Sequence, residues 1–401
     1  MDQAVAMQTS PPWRATLSAH CANLVGIGLA RFGYTPLIPA LIAAGWFTPA
    51  GAVYLGAANL AGYLAGALGA RRLAARFGAA VTLRAAMLLT AGSLLACAAP
   101  LGFAWFFAWR FLSGCTGAIA MAVAAPSVIA GIPPARRGLA GGAIFTGVGV
   151  GIAASGTLVP LLIAWGLVET WLGLGCLALV LTAVAWRGWP VVPPHTGLTV
   201  VRGARDGSPP LALRALYLEY ALNAVGLVPH MVFLVDFVAR GLGQGLHAGS
   251  HYWVLFGIGA LVGPLAGGYA GDHIGFRAAL RLAFVVQAIA VALPLVTTVP
   301  LALQLSSVII GAAVPGIVAL TLGRVRELAS GDAFTQAAAW RWCTIAFAIG
   351  QALAGYGFSF IFARVANGYP VLFGLAALAL LAALAIDLAA AFTTPRRATR
   401  G

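Results

Sequence analysis

Apolar runs of bilayer length recur along almost the whole chain, and no other feature narrows the possible folds so far. A helix needs about 20 predominantly apolar residues to cross ~30 Å of hydrocarbon. Twelve such spans can be drawn, at approximately 15–41, 50–70, 80–99, 101–131, 138–164, 168–187, 212–238, 250–270, 278–297, 301–323, 335–363 and 369–391. They are continuously apolar rather than alternating, which excludes a membrane β-barrel. Composition agrees. Hydrophobic residue types make up 61% of the 401 residues and charged ones 8%, against roughly a quarter charged in a soluble domain. So few charges cannot cover a soluble surface, and the apolar excess excludes intrinsic disorder. The expected fold class is all-α integral membrane, with twelve transmembrane helices.

The formal net charge of +14 comes from 23 Arg, with no Lys, against nine acids. Placement shows that nucleic acid need not be the partner. With the N-terminus cytoplasmic, eighteen Arg fall on that side, among them Arg71, Arg72, Arg76, Arg136, Arg137, Arg277, Arg281, Arg324 and Arg326. Only Arg240 and Arg364 fall outside, and Arg31, Arg110 and Arg341 lie within spans. This asymmetry follows the positive-inside rule and places both termini in the cytoplasm of a bacterial inner membrane. The first apolar stretch is long and carries Asn23 and Arg31, unlike a cleavable signal. Five Cys without metal or redox spacing read as small buried hydrophobes.

Gly188 to Pro210 is polar and rich in Pro and Gly, and reads as a cytoplasmic linker. It divides the chain into a six-helix bundle at 1–187, the linker at 188–210 and a second six-helix bundle at 211–401. The halves share short matches in register. Asn23-Leu-Val25-Gly26 faces Asn223-Ala-Val225-Gly226, and Gly62-Tyr-Leu64-Ala65-Gly66 faces Gly263-Pro-Leu265-Ala266-Gly267. Two pseudo-symmetric bundles in parallel repeat are a transporter architecture, with substrate held near the midplane between them. Glycines concentrate in spans two, five, eight and eleven, where small residues let backbones approach.

Gly268-Tyr-Ala-Gly-Asp272-His273-Ile-Gly275-Phe-Arg277, between spans eight and nine, resembles the cytoplasmic loop motif of the major facilitator superfamily. Ala74-Ala75-Arg76-Phe77-Gly78 resembles the equivalent first-half loop, with Ala75 where an Asp is usual. Arg110-Phe-Leu-Ser-Gly114-Cys-Thr-Gly117 resembles the fourth-helix motif of that family. Span five is glycine-rich like the antiporter motif but lacks its Gly-Pro pair. More narrowly, Arg31-Phe-Gly-Tyr34-Thr35-Pro36-Leu-Ile-Pro39 with Asn59-Leu-Ala-Gly62-Tyr63-Leu-Ala-Gly66 resembles the YbfB/YjiJ-like branch. The resemblance implies a secondary transporter working by alternating access and leaves the substrate open.

Ionisable residues at membrane depth cost about 2.5–3.5 kcal/mol on insertion scales, so each needs a reason. On a regular helix His20, Asn23, Arg31 and Tyr34 share about 80° of arc. That stripe, with Asn59 of span two, reads as one wall of a substrate site. Up to residue 200 the acids are Asp2 and Glu169, neither deep in a span, so Arg31 and Arg110 have no acidic partner in their own half. The planar guanidinium fork suits a carboxylate or phosphate; interhelical hydrogen bonding is the structural alternative. In span seven Glu219, Asn223 and His230 lie within about 40° and read as the opposing wall, with Trp340 of span eleven. Glu219 is the leading proton-coupling candidate, since its protonation can follow cavity hydration; a snorkelling carboxylate paired with cytoplasmic Arg is the alternative. Asp236, the second candidate, reads first as an i,i+4 ion pair with Arg240. Asp272, Arg277 and Arg76 are assigned to gating. Trp105, Trp109, Trp165 and Trp171 read as aromatic-belt anchors.

An enzyme is not expected: there is no paired-carboxylate constellation, HExxH, nucleophile elbow or P-loop. No metal or cofactor is expected. The partners are a small solute, protons and the lipid bilayer, and the chain reads as a monomer. The expected function is proton-coupled transport of a small organic anion; the alternative is a proton-coupled exporter of cationic or neutral hydrophobic drug-like compounds. The charge asymmetry makes a direct prediction. Topology reporters fused after residue 401 and within the 188–210 linker should both report cytoplasm, and an external signal from either would reverse the orientation.

Overall fold

The computed structural model describes residues 12–133, 136–190, 210–329 and 333–393. Most of the linker, together with Asp2, Arg202, Arg205, Arg396, Arg397 and Arg400, lies outside the described residues. Within them the chain is helical, without strands. The helices are α1 (12–43), α2 (Pro49–Phe77), α3 (Ala79–Ala96), α4 (Phe103–Ile129), α5 (Arg137–Ile163) and α6 (Leu167–Ala185). In the second half come α7 (Leu211–Gly241), α8 (Gly245–Ile274), α9 (Phe276–Val296), α10 (Pro300–Leu328), α11 (Ala333–Arg364) and α12 (Tyr369–Thr393). Eleven of these are individually long and apolar enough to cross a bilayer. The two pieces of α1, bent by 43°, make up a broken twelfth.

Several helices run longer than their apolar runs, because turn residues and not hydropathy end them. Thr48 caps α2, its hydroxyl accepting from the Gly51 amide at 3.1 Å, with Pro49 in the first turn. Gly78 (φ 81°) and Gly275 (φ 80°) then turn α2 into α3 and α8 into α9 in a backbone region that side chains rarely occupy.

Two helices are irregular. α1 is α-helical to Asn23, π-helical over Leu24–Leu29 and 3₁₀ over Phe32–Tyr34 before resuming at Leu37. α7 is α-helical to Val228 and π-helical over Pro229–Phe233 and Phe237–Gly241. Pro36 and Pro229 each remove an amide donor from the ladder, which favours such local rearrangement. Both breaks fall at the centre of the molecule, where a site between the halves would lie.

Packing shows the internal repeat. Gly62 and Gly66 of α2 lie against the backbone of Phe111 and Cys115 of α4. Gly263 and Gly267 of α8 lie against Ala312 and Gly316 of α10. Each residue of the second set is 201 positions after its counterpart. Backbones this close leave no room for a Cβ and gain dispersion contacts, which is what holds helices together in lipid. Other glycines join the halves: Gly149, Gly156 and Gly257 between α5 and α8, and Gly355 of α11 against Ala57 and Leu60 of α2. These close approaches cluster in the helix halves away from the Arg-bearing loops, so the molecule is shut at that end.

Leucine at Gly62 would drive its Cβ into the Phe111 carbonyl, whereas Gly69, about two helix turns away, faces open space. Gly62→Leu should therefore cost more than about 3 kcal/mol and abolish a monodisperse purified peak, while Gly69→Leu retains it. Equal behaviour of the two variants would refute the packing assignment.

Candidate functional site

Arg31 lies at the break in α1. Its Nη2 donates to Oε1 of Gln351 on α11 at 2.7 Å, crossing from the first half to the second. The guanidinium lies 5.0 Å from the Tyr63 ring and 5.4 Å from that of Phe32, and its Nε is buried without a hydrogen-bond partner. Beside it is a small cavity walled by Arg31, Tyr34, Asn59, Arg110, Met231 and Val232. Helices α1, α2, α4 and α7 all contribute, so the cavity lies between the two halves.

Arg110 forms the back of this cavity and is 2% exposed. Nη1 donates to the Ala30 carbonyl in a short hydrogen bond, and the charge sits 4.2 Å from the face of Tyr34. Its Nε has no partner. Asn59 donates from Nδ2 to Ser113 Oγ at 2.9 Å and to the Arg110 carbonyl at 3.3 Å, leaving Oδ1 unpaired. Tyr34 is held by a 2.8 Å bond from its hydroxyl to the Ala52 carbonyl. Among the described residues no acid pairs with either Arg. Aromatic faces and carbonyl dipoles support two cations here.

Other residues read as site walls lie elsewhere. His20 hydrogen-bonds the Ala143 carbonyl at 2.9 Å, and Asn23, fully buried, donates to the Ile144 carbonyl at 3.3 Å. Both therefore bind α1 to α5 and not to the cavity. The reason is the π segment that follows Asn23: a 100° step per residue no longer holds, and the expected stripe splits into two directions. The α7 stripe also turns inward on its own half. Asn223 donates to Gln287 of α9 at 2.7 Å, and His230 pairs with Ser306 of α10 at 2.8 Å with its ring against Phe373. Trp340 is half-buried beside Tyr220, outside the Arg31 cavity. Trp171, expected at the membrane interface, is buried against Tyr34 and Phe106.

The two proton-coupling candidates, Asp236 and Glu219, occupy separate places. Asp236 is fully buried, clamped by Arg240 at 2.5 and 2.8 Å and by the Tyr369 hydroxyl at 2.6 Å, an i,i+4 pair closed by a third group. Glu219, 3% exposed, lies within electrostatic reach of Asp387, Arg324, Arg277 and Arg281. Arg277 and Arg281 of α9 both pair with Asp387 of α12, the former at 3.4 Å. Asp272 does not join this cluster: it is exposed, without an ion pair among the described residues. The Arg277 contact thus ties two helices of one half, whereas the gating assignment had it bridge the halves. Arg76 is exposed beside Phe77. Sequence reasoning passed over Asp387, whose signal was a lone acid in the last span. Gln351, a polar residue inside span eleven, was likewise not assigned to the site.

The family described as "Uncharacterised MFS-type transporter YbfB" matches residues 23–388, almost the whole chain. The chain belongs to this family of major-facilitator transporters. No curated protein matches it in sequence. Among solved structures, one of the E. coli xylose transporter XylE, in a partially occluded inward-open conformation, is similar at a TM-score of 0.72 and 14% identity, covering 96% of this chain and 98% of that one. That likeness shows the fold. Family and fold together make the chain a multi-pass membrane transporter rather than an enzyme.

The cavity makes a prediction about stability. A buried guanidinium without a carboxylate costs about 2.5–3.5 kcal/mol on insertion scales, offset in part by the Ala30 bond. Arg110→Met should melt at or above the wild-type temperature in detergent. A drop of several degrees would identify Arg110 as a structural clamp.

Proposed function

We propose that the protein is a secondary active transporter that moves a small organic anion across the bacterial inner membrane by alternating access, coupled to protons. The observation that supports this reading is the unpaired pair of cations, Arg31 and Arg110, at an inter-half cavity without an acid. A carboxylate entering there would take two parallel N–H bonds from the Arg31 fork, charge-assisted and therefore short and strong. Arg110, with Asn59 and Tyr34, would set the field and orientation around it. The remainder of the solute would lie toward Met231 and Val232, whose apolar surface suits a compact hydrocarbon portion.

The halves 1–187 and 211–401 act as the moving bodies, rocking about this site. The Arg-bearing loops and both termini face the cytoplasm, and one copy contains the whole cavity, so a monomer suffices. Glu219 is the proposed proton carrier: it is an enclosed carboxyl next to an Asp387 already engaged by Arg277 and Arg281, so that loss of its proton adds a second negative charge to the cluster. Export of a cation fits less well, because Asp236 is occupied by Arg240 and Tyr369 and Glu219 lies apart from the cavity.

The test is a melting-temperature screen of wild type and Arg31→Gln against organic anions, cations and neutral solutes at two pH values. A ligand that binds only the folded state raises apparent stability by about 2.7 kcal/mol at a hundredfold excess over its dissociation constant. Particular carboxylates should stabilise wild type and leave Arg31→Gln unmoved. Stabilisation by cations alone, unchanged in Arg31→Gln, would overturn the anion assignment.

A further inference from the structure

Gln351 is 1% exposed, and its amide is used at both ends. Oε1 accepts from Arg31 across the halves at 2.7 Å, while Nε2 points at Met231 Sδ of α7 at 3.6 Å. The same Met231 accepts on its carbonyl from Thr35 of α1 at 2.6 Å, a second bond between the halves. A third runs from Trp253 Nε1 of α8 to Ser155 Oγ of α5 at 3.1 Å. All three contacts lie in the helix halves away from the Arg-bearing loops, on the shut side, where Phe32 also packs against Trp253 and Phe256. They form a latch, and of the three bonds only Arg31–Gln351 ends on the charge assigned to the substrate.

An amide oxygen and a carboxylate oxygen present similar acceptors to a guanidinium. The carboxylate has two of them and a full charge, so it can take both arms of the fork as an ion pair where the amide takes one. We propose that Gln351 is the substrate-sensing residue of this transporter. Its amide occupies the Arg31 fork and holds the shut end closed until an anionic solute displaces it, and that displacement frees the two halves to separate. The inference rests on the anion reading of Arg31. It adds a linkage: closing the latch and binding the anion compete for one group, so each must weaken the other by the same free energy.

The experiment uses full-length protein in proteoliposomes with the five native cysteines replaced by alanine. Ala57, 1% exposed and packed beneath Gly355 in the shut end, carries the reporter as Ala57→Cys. Reaction with an impermeant maleimide from the outer face reads opening, and melting shifts with lactate, succinate and benzoate read anion binding. Gln351→Leu should speed labelling several-fold and tighten carboxylate binding by about tenfold, because no intramolecular acceptor then competes. Gln351→Glu supplies a permanent carboxylate, and should slow labelling below the parent and erase the carboxylate response. Unchanged labelling and affinity in both variants, with the response still lost in Arg31→Gln, would overturn the role of Gln351 alone. A carboxylate response that survives Arg31→Gln, or is missing in both the parent and Gln351→Leu, would overturn the anion reading and this inference with it.

Discussion

A guanidinium held at membrane depth without a carboxylate beside it sets the terms for the centre of this protein. Hydrocarbon offers no water to solvate the charge, so the protein must supply dipoles and polarisable faces. Arg31 receives an amide oxygen from Gln351 and the rings of Tyr63 and Phe32; Arg110 receives the Ala30 carbonyl and the face of Tyr34. Each arrangement satisfies the cation incompletely, as the unpaired Nε atoms show. Both guanidinium groups border the inter-half cavity, beside the helix breaks in α1 and α7.

Around this centre the scaffold makes one kind of joint within each half and another between them. Within each half, α2 against α4 and α8 against α10 meet glycine to backbone, with equivalent contacts 201 residues apart. Such joints have no side chains to repack and resist sliding. Between the halves the contacts are mixed: small residues at α5–α8 and α2–α11, aromatic rings at Tyr54–Tyr356 and Phe32–Trp253, and a few hydrogen bonds. The acids follow the same division, for Asp387 and Asp236 each close pairs inside the second half. These ion pairs thus lie inside one bundle, and no ion pair among the described residues crosses between the halves.

Much of this was legible in residues alone. The many membrane spans and the repeat at an offset of about 200 followed from run length and short matches in register. Arg31, Tyr34, Asn59 and Arg110 were named as site residues and do line one cavity. His20, Asn23, Asn223 and His230 were grouped with them by helical arc and instead brace neighbouring helices of their own halves. A helical wheel reports which residues share a face; it does not report which neighbour that face meets, and it fails where a π or 3₁₀ segment changes the pitch.

The sequence by itself determined that this chain crosses a membrane many times, in two related halves, with its positive charge gathered at one end. Run length, composition and the distribution of Arg settle these points because they depend on transfer into hydrocarbon, which each segment undergoes largely on its own. Only the tertiary structure decided that Gln351 reaches Arg31 across a sequence separation of 320, that Asp387 claims Arg277 and Arg281, and that Asn23 turns away from the cavity. Those outcomes depend on helix rotation and crossing, which arise from small-residue packing and backbone breaks summed over many contacts. No local pattern carries that information.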